Sequence, residues 1–80
     1  METMEKEQYM EISVFRTNIN SDIDLETIAL VLDNHEKVSG WTLDREDADK
    51  VLRIKTTQPI VSEIIYLIKQ KGFLCEELPD

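Results

Sequence analysis

The stretch Val38-Ser39-Gly40-Trp41-Thr42-Leu43-Asp44-Arg45-Glu46-Asp47-Ala48-Asp49-Lys50-Val51-Leu52-Arg53-Ile54-Lys55-Thr56 decides the fold. Val51 to Thr56 alternates, with Leu52 and Ile54 on one side and Arg53 and Lys55 on the other, the pattern of a half-solvated antiparallel strand. Val38 to Leu43 reads as its partner strand, in which Val38 and Gly40 alternate with Ser39, Trp41 and Leu43. Gly40 weakens that strand or marks a bulge. The polar run Arg45 to Asp49 is the turn, so the stretch is a β-hairpin.

On each side of the hairpin lies a helix pattern, then a further strand. Leu25, Ile28, Ala29 and Leu32 fall at i, i+3, i+4 and i+7, with Ser21, Asp22 and Asp24 as cap candidates and as acids suited to the positive end of the dipole; the spacing predicts a helix over about Asp24 to His35. Val61, Ile64, Ile65 and Ile68 form a second stripe, with Pro59 at its start and Gly72 as a left-handed stop. Before the first helix, Ile12, Val14 and Phe15 lie in a strand from about Met10 to Ile19 with apolar groups on both faces. After the second, Phe73 to Leu78 is the last strand, ended by Pro79.

The order is β-α-β-β-α-β, which makes the chain an α+β protein with a ferredoxin-like βαββαβ sandwich: a four-stranded antiparallel sheet with two helices on one face. Phe15 and Ile19 are then on the core side of the first strand, and Ile12 and Val14 on the open sheet face, where exposed aliphatic groups point to self-association or a protein partner.

At 80 residues one domain is expected, over residues 9–80, with the polar residues 1–8 as an N-terminal arm. The hydrophobic fraction of 41% is enough for a folded core, but folding at this size buries only about 60% of the unfolded chain's surface, so a deep active site is not expected. Nine basic against 17 acidic residues give a formal charge of -8, which repels phosphate backbones and anionic headgroups and sets nucleic acid and membranes aside as partners. The single Cys75 forms no internal disulfide or multi-thiolate site, and no apolar stretch is long enough for a leader or a membrane span; a cytoplasmic protein is expected.

The stretch Phe15-Arg16-Thr17-Asn18-Ile19-Asn20-Ser21-Asp22-Ile23-Asp24-Leu25 resembles the first strand and metal loop of the heavy-metal-associated (HMA) domains of copper chaperones and metal-transporting ATPases. Val38 to Asp44, Asp49 to Ile54 and Ile68 to Phe73 resemble that family's hairpin and the end of its second helix. The family loop reads M-x-C-x-x-C, two thiolates that clamp a soft Cu(I) ion. On this resemblance Ile19 falls on the methionine position, and Ser21 and Asp24 fall on the two cysteines. A neutral hydroxyl and a hard carboxylate do not supply soft-metal chemistry, so the resemblance implies the scaffold without a thiolate site, and no cofactor is expected. It also places Phe73 over Ser21 and Asp24.

Other residues carry competing readings. Asn18, Asn20, Asp22, Asp24 and Glu26 alternate like calcium-loop oxygens, but counting from Asn18 the sixth position is Ile23 instead of glycine and the twelfth is Ala29 instead of glutamate. A solvated helix cap is the first reading of this segment; weak divalent binding through Asp22 and Asp24, or a partner contact, are the others. Arg16, Asn18 and Asn20 offer the residue types of an acylphosphatase-like hydrolase, against which stand the acids beside them and the absence of a loop glycine. His35 reads as a cap of the first helix's C-terminus ahead of a catalytic or zinc-binding group, and Cys75 as a small buried hydrophobe ahead of an exposed reactive thiol. Trp41 anchors either the core or an exposed patch. The candidate partner-binding residues are therefore Ile12, Val14, Trp41 and Phe73, in a protein-interaction or regulatory module that is not an enzyme.

Overall fold

The computed structural model describes residues 10–79; the arm expected at residues 1–8 lies outside them, as does Tyr9. The elements are β1 (Glu11–Thr17), α1 (Asp22–Asp33), β2 (Val38–Asp44), β3 (Val51–Thr56), α2 (Val61–Gln70) and β4 (Cys75–Glu77). The strands form one sheet in the order β2-β3-β1-β4, with every neighbouring pair antiparallel. This is the α+β ferredoxin-like arrangement. Ile28 and Leu32 of α1 and Ile64 and Ile68 of α2 join Phe15, Ile19, Leu52, Ile54 and Cys75 in one buried cluster, so both helices cover the same side of the sheet.

Several boundaries differ from those read in the sequence, each for a local reason. α1 begins at Asp22 because Ser21 is the N-cap, which leaves Asp24 as the third helical residue instead of the first. β1 stops at Thr17: its hydroxyl donates to the Lys50 carbonyl at 2.7 Å and accepts the Ile19 N–H at 3.2 Å, which turns the chain out of the ladder while Ile19 stays fully buried. α2 starts at Val61 with Ile60 as its N-cap, so Pro59 lies one residue outside the cap. β4 is only three residues long. Gly72 does supply the left-handed stop after α2, at φ 91°.

The strand faces follow the register. Phe15 pairs with Leu52 and Ser13 with Ile54, which puts the odd-numbered residues of β1 on the helix side; Ile12 pairs with Lys55 and Val14 with Arg53 on the open side. In β2 the simple alternation fails. A bulge at Ser39 lies between the pairs Val38 with Thr56 and Gly40 with Lys55, so Val38 and Trp41 share the helix-facing side and Gly40 faces out. An added Cβ at Gly40 would meet nothing within 4 Å, and its φ is not left-handed. Gly40→Val is therefore expected to raise stability by about 0.5–1 kcal/mol, by restricting the unfolded chain and suiting the strand. A higher urea midpoint with an unchanged slope is the result to look for; a lower midpoint would mean that the bulge needs glycine.

Candidate functional site

Two places came out of the sequence, the loop between β1 and α1 and the open sheet face. In the loop, the Asp24 backbone N–H donates to Ser21 Oγ at 3.1 Å, and Asp24 Oδ2 accepts the backbone N–H groups of Asn20 and Ser21, both at 3.2 Å. This reciprocal capping box satisfies donors that a helix start leaves without intrahelical partners. The Ser21 and Asn20 amides, in that order of effect, hold the Asp24 carboxyl below the usual aspartate range.

Asp22 faces elsewhere. Its Oδ1 is 2.9 Å from Arg45 Nη1, which also donates to the Asn20 carbonyl at 2.9 Å. Asn18 Oδ1 accepts the Leu74 N–H at 2.9 Å, tying the loop to the segment before β4. Of the oxygens that resemble a calcium loop, those of Asn18, Asp22 and Asp24 thus have separate partners within the protein. Among the described residues, no group of three His, Cys, Asp or Glu is placed to hold a metal ion. Phe73 packs against the core cluster, half-buried.

Loss of the cap is measurable. Ser21→Ala is expected to cost about 0.5–2 kcal/mol in denaturant unfolding. The Asp24 part depends on pH: a carboxyl lowered in the folded state contributes stability above its unfolded value, 3.8, and that contribution disappears as pH falls through the lower folded value. Asp24→Asn should flatten the acid limb of the stability curve over that range. An acid limb identical to that of the parent would show that the box does not persist in solution.

Arg16, the residue type that suggested phosphate chemistry, is on the open face with its guanidinium 3.4 Å from Asp49 and 3.1 Å from Glu76. The His35 imidazole does not cap α1, although its backbone N–H donates to the Leu32 carbonyl at 3.2 Å. Asn34 is the C-cap, and its amide donates to the Leu30 carbonyl at 2.8 Å. His35 Nδ1 accepts the Lys37 N–H at 3.1 Å, which puts the ring proton of the neutral form on Nε2, 2.7 Å from Glu63 in the first turn of α2. Cys75 is buried in the core.

Trp41 does not share a face with Ile12 and Val14. Its ring packs beside the core on the helix side, with Nε1 donating to Asp33 Oδ1 at 2.8 Å. The open face is instead a ladder of rows set by the register. Asp44, Val51, Arg16 and Glu76 lie nearest the hairpin turn; Thr42, Arg53 and Val14 come next, with Leu78, whose N–H donates to the Val14 carbonyl; Gly40, Lys55 and Ile12 follow. Ile12 is 59% exposed, Val14 is half-buried, and Arg53 and Lys55 have no ion-pair or hydrogen-bond partner among the described residues. A shallow depression lined by Ile12, Gly40, Trp41, Thr42, Arg53 and Lys55 runs across these rows.

The alternation in β3 with Leu52 and Ile54 places Arg53 and Lys55 on the solvent side, but nothing in their sequence context marks them as site residues. Among the described residues, no helix is long and apolar enough to cross a membrane. No family model, curated protein or solved structure matches the chain.

Proposed function

We propose that this chain is a non-catalytic protein-interaction module of the cytoplasm, built on an HMA-like scaffold without a thiolate metal site, and that it works through the open face of its sheet. One observation carries the reading: the open face leaves aliphatic Ile12 exposed and the cations Arg53 and Lys55 without partners among the described residues, whereas around the β1–α1 loop the side chains of Asn18, Ser21 and Asp24 are bound to backbone amides and that of Asp22 to Arg45. Exposed apolar groups in a contiguous patch are a mark of recognition surfaces. On the HMA resemblance, the two cysteine positions are Ser21 and Asp24, which are joined in the capping box and so serve the helix.

A photoreactive side chain at position 12, compared with one at exposed Ser62 on α2, tests the assignment in cells. Adducts are expected from position 12 and not from position 62. Equal labelling at both sites, or none at position 12, would remove the open face as the working surface.

A further inference from the structure

If the open face is the working surface, as proposed above, its charge pattern sets what it binds. The chain has a net charge of -8, yet this face carries Arg16, Arg53 and Lys55 against Asp44, Asp49 and Glu76. The charges are also segregated. Arg16 is held by Asp49 and Glu76, with Asp44 in the same row, so the acids gather at the turn end. The two rows beyond it hold Thr42, Arg53, Val14, Leu78, Gly40, Lys55 and Ile12, and their only charged side chains are cations without partners among the described residues.

Arg53 and Lys55 are two residues apart on one face of one strand, about 7 Å along it. That is within the Debye length of about 8 Å at physiological salt, so a ligand lying over β3 meets both charges, while the acids on the far side of the helix layer are largely screened. Long aliphatic stems on both cations add to the apolar surface of Ile12 and Val14. The geometry points to a partner segment that carries carboxylates beside aliphatic side chains, laid over β1 and β3 with its acids on Arg53 and Lys55 and its apolar groups on Ile12 and Val14. Two copies of this face meeting across a two-fold axis would set Arg53 and Lys55 near their own counterparts, which disfavours that pairing. A second copy could use another surface: α1 exposes Ile23 at 74% and Leu30 at 68%, with Glu26 and Asp33 on the same helix.

The test titrates the isotope-labelled full chain with a short synthetic peptide of alternating leucine and glutamate, and with the same peptide carrying lysine for glutamate. Amide shifts are expected at Ile12, Val14, Thr42, Arg53 and Lys55 with the acidic peptide and not with the basic one. Arg53→Glu combined with Lys55→Glu should weaken binding about tenfold or more. Both side chains point to solvent, so retained amide dispersion shows the fold to be intact; if it is lost, Lys55→Glu alone is used. No shifts, equal shifts with the basic peptide, or shifts confined to the helices would overturn the assignment. Sedimentation without peptide supplies the remaining arm: reversible association that the double variant abolishes would give the face to a second copy and overturn the separate partner. Adducts from position 12 together with a failed titration would leave the interaction reading standing and reject only the acidic ligand.

Discussion

Phe15→Ala should remove a large share of the folding stability, while Ile12→Lys, three positions away on the same strand, should leave it nearly unchanged. Phe15 has no exposed surface, pairs with Leu52 across the ladder and lies in the cluster that both helices cover. Truncating a buried phenylalanine costs about 3–5 kcal/mol, through lost transfer energy and the cavity left behind. A domain of this size has a total stability of about 4–12 kcal/mol, so the loss is a large share of the whole. Ile12 is 59% exposed on the opposite face, where a charged head reaches water, and a change within about 0.5 kcal/mol is expected. Urea unfolding of both variants decides the matter; comparable losses would mean that the faces of β1 are misassigned.

The second large effect concerns Cys75. Burial pushes its thiol up from 9.0 to about 11, a little offset by Lys69, so near neutral pH it is neutral and out of reach of reagents. Alkylation of the native protein at neutral pH should therefore be about a thousandfold or more slower than in urea, because it waits for an opening reaction. The linkage has a definite sign. A folded-state value above the unfolded one gives stability that is complete below pH 9.0 and lost as the unfolded chain ionises and pH climbs toward about 11. Cys75→Ala should lower stability at neutral pH and flatten the decline over that alkaline range. Rapid labelling of the native protein would show that β4 does not stay docked.

The comparison of these two residues also shows what the chain discloses before it is folded. Phe15 and Cys75 were readable as core from alternation and from residue type, and the hairpin from Leu52, Arg53, Ile54 and Lys55 taken in turn. The face of Val38 was not assignable, because a single extra residue at Ser39 reverses the face of everything before it, and a bulge leaves no mark in sequence beyond a nearby glycine. The start of α1 was ambiguous for another reason: Ser21, Asp22 and Asp24 are all competent caps, and only the pair of bonds between Ser21 and Asp24 selects one. The site was half legible. That Arg53 and Lys55 point outward follows from period two, whereas their lack of partners depends on which acids the fold brings to Arg16 and Arg45, and those come from distant parts of the chain.

The two borders of the sheet bear on how this protein behaves when crowded. A strand with a free row of amides and carbonyls invites a foreign strand to zip onto it, and a succession of such additions is a route to fibres. Here one border is interrupted by the Ser39 bulge, and the other offers the three residues of β4 before Pro79, which has no amide hydrogen to donate. Templated growth thus finds a kinked rail on one side and a very short one on the other. Addition of a foreign strand is thereby hindered at both borders, and crowding acts on the remaining surfaces of the protein instead.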